Sequence, residues 1–355
     1  MAKGGSGPLL MGAQYLTLGN GGIAVCARMT AAALANRNPM SALACLDTGD
    51  FSIGKVPVRT FGGSRLKFSL QLAMSARRST CVFYDFLGTA RAHQVMRFHD
   101  RPYAVWAHGV EVWEAMRPDY QRALERADLV LVHSAYTQER GARWFKGAKT
   151  VRLCPLATDI DEEPSRQGPS DGPPVVLVLG RIDEKLGKGH DVLISLWPKV
   201  ASAVPGARLV FAGGGNRTEH IRALAASSSA AASIDVLGFV PVARIAGLWD
   251  RASVFAMPSL AEGFGLVYVE AMRRGIPVLA SREDAGQEVN ADGVSGYNVS
   301  RRRPDEMADA LVALLRDRDL ARRLGEGGHR RWREHYTFSS FERRLQAATA
   351  SLVAA

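Results

Sequence analysis

The sequence predicts an α/β protein built from two doubly wound parallel sheets. Three observations predict it. Short apolar runs alternate with helix-patterned segments along most of the chain, the mark of repeated strand–helix–strand units. The alternation stops once, in a polar stretch rich in Pro and Gly at 158–174, and then restarts. The chain has 355 residues, too many for one ordinary domain and enough for two.

In the first half, Leu9–Tyr15, Met40–Leu46, Cys81–Phe86, Tyr103–Ala107 and Leu129–His133 read as strands. They are continuous apolar runs, as expected of parallel strands covered on both faces. Helical patterns begin at Ile23, Ser64, Thr89, Pro118 and Ala135. After the polar stretch, Val175–Leu179 is a buried strand and His190–Ala203 a helix. Strand Arg208–Ala212 ends in Gly213-Gly214-Gly215, and helix Ile221–Ser228 and strand Ile234–Leu237 follow. Then come helix Val242–Asp250, strand Val254–Met257, helix Leu266–Arg274 and strand Pro277–Ala280. Asp305–Arg316 and Ser339–Leu352 close the series as helices. The expected domains are 1–157 and 175–335, with a linker at 158–174 and a terminal segment at 336–355. In such sheets ligands bind outside the carboxyl ends of the strands, so the loops after the strands should hold the chemistry.

Composition narrows the class. Hydrophobic residues make up 47% and charged residues 23%, which suffices for two buried cores. No apolar run approaches the ~20 residues of a membrane-spanning helix, and the N-terminus does not read as a signal peptide. Cys26, Cys45, Cys81 and Cys154 are far apart and form no metal-ligand spacing, so they read as reduced thiols of a cytoplasmic protein. The net charge of +10 lies wholly in the first half: residues 1–155 carry 20 Lys and Arg against 10 Asp and Glu. A basic face implies an anionic partner unless it is merely solvated. Aromatics are not interleaved with the basic residues as in single-strand nucleic-acid binders. A membrane surface or a lipid-phosphate acceptor is therefore preferred to nucleic acid.

Two loops carry the strongest chemical signals. Glu262-Gly263-Phe264-Gly265-Leu266 follows strand Val254–Met257 and opens a helix that contains Glu270. Glycines there let a ligand approach the backbone, and free N–H groups at the helix start suit an anion. Carboxylates suit sugar hydroxyls. Taken alone, a turn with two surface glutamates explains this segment equally well. The second loop, Gly180-Arg181 to Lys188-Gly189 with Lys185 between, places up to three cations at one sheet edge. Such cations would clamp a diphosphate and stabilise it as a leaving group.

Together these residues resemble retaining glycosyltransferase family 4, of the GT-B fold, in which two Rossmann-like domains face a cleft. Gly180-Arg181…Lys188-Gly189 resembles the family's G-R…K-G loop, and Glu262…Glu270-Ala271-Met272 its E-x7-E motif. His108-Gly109-Val110-Glu111 looks like its H-G-x-E segment, and Cys154-Pro155…Asp159 stands where it has P-N-G-V-D. Leu237-Gly238-Phe239-Val240-Pro241, Ala285-Gly286-Gln287-Glu288 and Gly293…Gly296 fit later segments in order, so the likeness runs from about Gly21 to the C-terminus. The G-R to K-G spacing is one residue longer than the family's, which leaves Lys185 and Lys188 as alternatives for the diphosphate lysine, and the usual G-G reads Ala285-Gly286.

The resemblance implies roles. Arg181 and a lysine bind the donor diphosphate, Glu270 the ribose and Glu262 the sugar. The backbone at Phe264-Gly265-Leu266 touches sugar and phosphate, and Phe239-Val240 hold the base. Gly21-Gly22 close on the phosphates, and His108 lies by the reaction centre. It further implies a hexose, of mannose or glucose type, moved from a nucleoside-diphosphate sugar to a lipid-linked or saccharide hydroxyl with retention of configuration. No metal or cofactor is expected, the pathway is surface polysaccharide or glycolipid synthesis, and the terminal helix crosses back to the first domain.

Rival readings exist. Gly19-Asn20-Gly21-Gly22-Ile23-Ala24 fits a nicotinamide-binding glycine loop, with Asp47 near where a ribose-binding acid belongs. A sugar-nucleotide epimerase would suit the same fold. Asp159-Ile160-Asp161 is formally a metal–diphosphate motif, but its place in the linker reads as solvated. Arg301-Arg302-Arg303 reads as a surface run that could meet a phosphate.

Overall fold

A computed structural model describes residues 7–95, 101–165, 167–183 and 187–353. The chain divides into two compact units, 1–159 with 338–355, and 160–337. The first contains β1 (Leu9–Ala13), α1 (Gly22–Ala35), β2 (Met40–Ala44), β3 (Phe51–Ile53), β4 (Val56–Thr60), α2 (Arg65–Ala76), β5 (Val82–Tyr84) and α3 (Leu87–Val95). It continues with β6 (Tyr103–Ala107), α4 (Val110–Trp113), α5 (Pro118–Glu125), β7 (Leu129–Val132), α6 (Ala135–Arg140), α7 (Ala142–Phe145) and β8 (Val151–Leu153). The second contains β9 (Val175–Leu179), α8 (His190–Ala203), β10 (Arg208–Ala212), α9 (Thr218–Ala226), β11 (Ile234–Gly238), α10 (Val242–Trp249), β12 (Val254–Met257) and α11 (Leu266–Arg273). It ends with β13 (Val278–Ser281), α12 (Gly286–Val289), β14 (Gly296–Val299), α13 (Pro304–Arg316) and α14 (Arg318–His335), after which α15 (Phe338–Val353) returns to the first unit.

The first sheet runs β3-β4-β2-β1-β5-β6-β7-β8, parallel except for the β3–β4 hairpin. The second runs β11-β10-β9-β12-β13-β14, parallel throughout. In each, chain order reverses beside the first strand: between β1 and β5, and between β9 and β12. That reversal leaves a crevice at the carboxyl ends of the strands. Burial explains the apolar runs. All residues of β7 and β12 are buried, and the second core sets Trp197, Leu193 and Ile194 of α8 against Leu209 and Phe211. Truncating a buried tryptophan such as Trp197 to alanine costs about 3–5 kcal/mol.

Three differences from the sequence reading have physical causes. The stretch 158–174 is no free tether: Arg273 donates to the Glu162 carbonyl (2.7 Å), Gly168 N–H to Arg274 O (2.7 Å) and Ser170 N–H to Ala252 O (3.0 Å). Its residues from 160 onward belong to the second unit. Helix α14 was not anticipated, because Gly325, Gly327 and Gly328 weaken its helical signal. All three glycines are buried, and a Cβ on Gly325 or Gly327 would strike the backbone of Gly275 or Val294, so close packing requires glycine at those two positions. Strands β3, β4, β8 and β14 and helix α12 were also not anticipated. Helix α15 packs on α1, with Phe341 and Leu345 fully buried and Arg344 donating to the Pro155 carbonyl (3.0 Å). Among the described residues no helix is long and apolar enough to cross a membrane.

Candidate donor site and its neighbours

The second unit sets the expected donor residues along one edge of its sheet. Arg181 follows β9, Phe239 follows β11, and Glu262 follows β12. β9 and β12 are adjacent and flank the reversal of strand order. Across it Lys188 Nζ lies 2.6 Å from Glu262 Oε2, with side chains 13% and 20% exposed. Lys188 stands between Gly187 and Gly189, both with positive φ (32° and 88°). A Cβ on Gly189 would lie 2.7 Å from the Pro258 carbonyl oxygen, so glycine lets the lysine loop pass against the β12 end. Arg181 is two-thirds exposed and pairs with Asp183 at 2.5 Å, so its guanidinium is held at the sheet edge yet open to solvent. Lys185 lies outside the described residues.

Two buttresses hold these loops, and neither was identified from sequence. Arg301 Nη1 donates to the Gly187 carbonyl (3.0 Å), while its Nη2 reaches both oxygens of Asp191 at 2.8 Å. It is 15% exposed, so it is not a solvated surface cation. Asp284, fully buried, accepts the N–H of Glu262 and of Gly286, both at 2.9 Å. Burial pushes its carboxyl up to about 7, against the pull of those two hydrogen bonds. Tyr268, buried below, donates to the Met257 carbonyl at 2.6 Å. A Cβ on Gly265 (φ 91°), at the start of α11, would run into the Tyr268 ring.

The remaining expected residues divide by exposure. Gly263 and Leu266 are half-buried beside the start of α11, and Glu270 is half-buried within it. Phe264 is buried edge-on against Tyr336 (5.9 Å), so only its backbone faces the loop. Phe239 is 75% exposed, a flat apolar ring open to a base, and Val240 beside it is half-buried. His190, the first residue of α8, is buried against Phe211, and burial together with nearby Lys188 lowers its pKa to about 4. It is therefore neutral and adds no charge beside the lysine.

In the first unit, β6 and β7 pair with Ala107 opposite Val132, so the next residues, His108 and His133, emerge side by side. His133 Nε2 lies 3.3 Å from His108 Nδ1, and His108 Nε2 lies 2.6 Å from the Asp85 carbonyl. A carbonyl only accepts, so His108 carries its proton on Nε2 and accepts at Nδ1. Burial lowers its pKa, with Glu111 opposing, and Glu111 also accepts the His108 N–H (2.5 Å). Gly21 (φ 84°) and Gly22 are exposed at the start of α1, which has no side-chain cap. The preceding loop is pinned by acids: Gln14 N–H donates to Asp85 (2.7 Å), and Leu16 and Thr17 N–H to Asp47 (2.6 and 3.1 Å). The other Asp47 oxygen accepts the Thr17 hydroxyl (2.6 Å). Both oxygens of Asp47, which follows β2, are thus engaged by the loop after β1, so the acid that the dehydrogenase reading needs for a ribose is already occupied. Asp159 and Asp161 are exposed, and among the described residues no group of three or more His, Cys, Asp or Glu is arranged to hold a metal ion.

Comparisons with known proteins bear on the family and the fold. Residues 159–331 match the family model described as glycosyl transferases group 1. The GDP-mannose-dependent alpha-(1-6)-phosphatidylinositol monomannoside mannosyltransferase of Mycobacterium tuberculosis is 32% identical over 245 residues, 63% of this chain. The match spans only 63% of that relative's own length. Sucrose-phosphate synthase from Thermosynechococcus elongatus superposes with a TM-score of 0.81 at 19% identity, covering 98% of this chain and 99% of that one. The Anabaena HepE protein, solved in complex with UDP-glucose, gives 0.81 at 18% identity over 97% and 100%. These two likenesses fix the fold class as GT-B.

Proposed function

Because the chain belongs to the group 1 glycosyltransferases, we propose that it transfers a hexose from a nucleoside-diphosphate sugar to a hydroxyl of a phosphate-bearing glycolipid acceptor. The observation that carries this reading is the Lys188–Glu262 pair, set across the reversal of strand order with Arg181 at the same edge. A cation and a carboxylate at that crevice suit a diphosphate joined to a polyol. Arg181 and Lys188 receive the charge of the leaving diphosphate. Glu262 accepts sugar hydroxyls, Glu270 the ribose hydroxyls, and Phe239 with Val240 flank the base. Gly21 and Gly22 offer backbone N–H groups to phosphate, and the neutral His108 orients a hydroxyl. The bond from the anomeric carbon to the phosphate oxygen breaks as the bond to the acceptor oxygen forms. The acceptor proton leaves with the diphosphate. Attack and departure on one face retain configuration, and the two cations supply the charge stabilisation that other transferases take from a metal. Mannose from GDP-mannose is the preferred donor, by analogy with the mycobacterial relative.

A thermal-shift screen with GDP, UDP, ADP and NAD, paired with transfer assays from GDP-mannose and UDP-glucose, tests this. Stabilisation by one nucleoside diphosphate, lost in Arg181→Ala together with about 10²–10³-fold of the transfer rate, is expected. Stabilisation by NAD alone, or unaltered transfer in Arg181→Ala, would overturn it.

A further inference from the structure

The loop that opens α11 reads Glu262-Gly263-Phe264-Gly265, with Gly265 at φ 91°. A backbone with glycine on each side of Phe264 is loose by itself, so the Phe264 side chain is its anchor. That side chain is 4% exposed and meets Tyr336 edge-on, with the ring planes at 78°. Tyr336 is the residue after α14, buried, with its N–H donated to the Trp332 carbonyl (2.8 Å). Five residues earlier, Arg331 sets its guanidinium over the Tyr336 ring (5.5 Å) and donates from Nη2 to the Tyr336 hydroxyl (3.2 Å). The same guanidinium reaches the end of α12. Its Nε donates to the Val289 carbonyl (2.9 Å) and its Nη2 to the Glu288 carbonyl (2.8 Å). Helix α12 has only four residues, so its last carbonyls lack helical partners and Arg331 caps them. The start of α12 leads back to the loop. Gly286 N–H and Glu262 N–H share Asp284, and Ala285 N–H donates to the Glu262 carbonyl (3.1 Å). These contacts close a circuit: from Phe264 through Tyr336 and Arg331 to α12, and through Asp284 to Glu262. The loop is thereby tied at both of its non-glycine residues, and Arg331 joins the two ties.

We propose that Arg331 and Tyr336 are positioning residues for sugar transfer, holding the Glu262–Gly265 loop so that the Glu262 carboxylate and the loop backbone meet the donor sugar in one geometry. The proposal rests on the transfer reading above. Neither residue is among those assigned to the donor, so both act through the loop. Arg181 and Phe239 follow β9 and β11 and lie outside the circuit. Binding of the diphosphate and base therefore depends little on it, whereas alignment of the sugar depends on it directly. Alignment carries rate, since a misplacement of about 1 Å costs about 10²-fold.

The test compares wild type with Arg331→Gln, Arg331→Lys, Tyr336→Leu and Tyr336→Phe, with circular dichroism to check folding. Calorimetric titration with GDP, GDP-mannose, UDP and UDP-glucose gives two affinities for each base, with the sugar and without it. The transfer assays from GDP-mannose and UDP-glucose are run on the same proteins. In Arg331→Gln and Tyr336→Leu the sugar nucleotide should bind about tenfold more weakly and kcat should fall at least as far, while the nucleoside diphosphate stays within about twofold of wild type. Tyr336→Phe keeps the ring against Phe264 and should restore most of what Tyr336→Leu loses. Arg331→Lys should restore only part, because an ammonium cannot serve both carbonyls and the tyrosine with a planar fork. If Arg331→Gln or Tyr336→Leu does not fold, Arg331→Lys carries the same test, with a smaller loss confined to the sugar nucleotide. Equal weakening of sugar nucleotide and nucleoside diphosphate, or no weakening in folded variants, would overturn the proposal and leave the transfer reading standing. Failure of wild type to bind any of the four ligands would remove the transfer reading and this role with it.

Discussion

Lys188 and Glu262 belong to loops 74 residues apart in sequence and meet at 2.6 Å, each mostly buried. Without a ligand each neutralises the other. An incoming diphosphate offers the lysine a second anion, and incoming sugar hydroxyls offer the glutamate new donors. The pair thus keeps both groups preorganised until a ligand carrying both features arrives.

Glu262→Gln should leave the ammonium without its anion and cost about 1–3 kcal/mol, less than a fully buried pair because both groups retain some solvent. Phosphate then supplies the missing charge, so a nucleoside diphosphate should raise the Tm of Glu262→Gln by more than that of wild type. Lys188→Ala should show no such gain. Equal ligand shifts in all three proteins, measured by differential scanning fluorimetry, would contradict this account.

Arg301 acts on the lysine loop without standing in the proposed ligand path: it holds the Gly187 carbonyl and Asp191. Arg301→Ala should loosen the loop and raise the donor KM about tenfold, with a smaller change in kcat, since charge-assisted hydrogen bonds are worth about 1.5–3 kcal/mol. Arg301→Lys should recover only part, because an ammonium cannot bridge both partners with a planar fork. Steady-state kinetics at saturating acceptor separates the two parameters.

Asp284 gives a pH signature. Its folded pKa is raised to about 7 by burial, whereas an unfolded aspartate titrates near ~3.9. Between these values the folded chain holds a proton that the unfolded chain has lost, so its contribution to stability is present at low pH and lost as pH rises to about 7. Asp284→Asn removes that loss. The stability of the variant relative to wild type should therefore increase from pH 4.5 to 7.5, at about 1.4 kcal/mol per unit of pKa shift. Urea unfolding of both proteins across that range checks it, and a pH-independent difference would refute it.

His108 should remain neutral with its proton on Nε2 from pH 6.5 to 8, which nitrogen-detected NMR can read directly. Its folded pKa is lowered by burial, so the stability it confers is present above the unfolded value near 6.5 and declines as pH falls below it. His133→Phe removes the donor facing Nδ1 and should broaden or shift that His108 resonance while leaving nucleotide binding in the second unit unchanged. An imidazolium spectrum at neutral pH would disprove the assigned tautomer.

Much of the fold is legible in the sequence. Tyr103–Ala107, Val175–Leu179, His190–Ala203, Arg208–Ala212 and Val254–Met257 have the bounds expected of them, because a strand or helix buried by its neighbours carries its own apolar pattern. Arg181, Lys188, Phe239 and Glu262 are readable as candidates because each lies in the loop after a legible strand, and parallel strands deliver those loops to one edge. The β3–β4 hairpin was not found, although Gly54-Lys55 between Ile53 and Val56 is a two-residue turn signal. Its strands are short and sit at the sheet edge, so their apolar pattern is weak. Sequence by itself determined the alternation of elements and the loops at their ends, since both depend on neighbours along the chain. Only the tertiary structure decided that Lys188 faces Glu262, that Arg301 and the buried Asp284 act as buttresses, that Asp47 is engaged by the loop after β1, and that Arg65 shares a cavity with Arg122. Those relations depend on strand order and on burial, and neither is encoded by spacing along the chain.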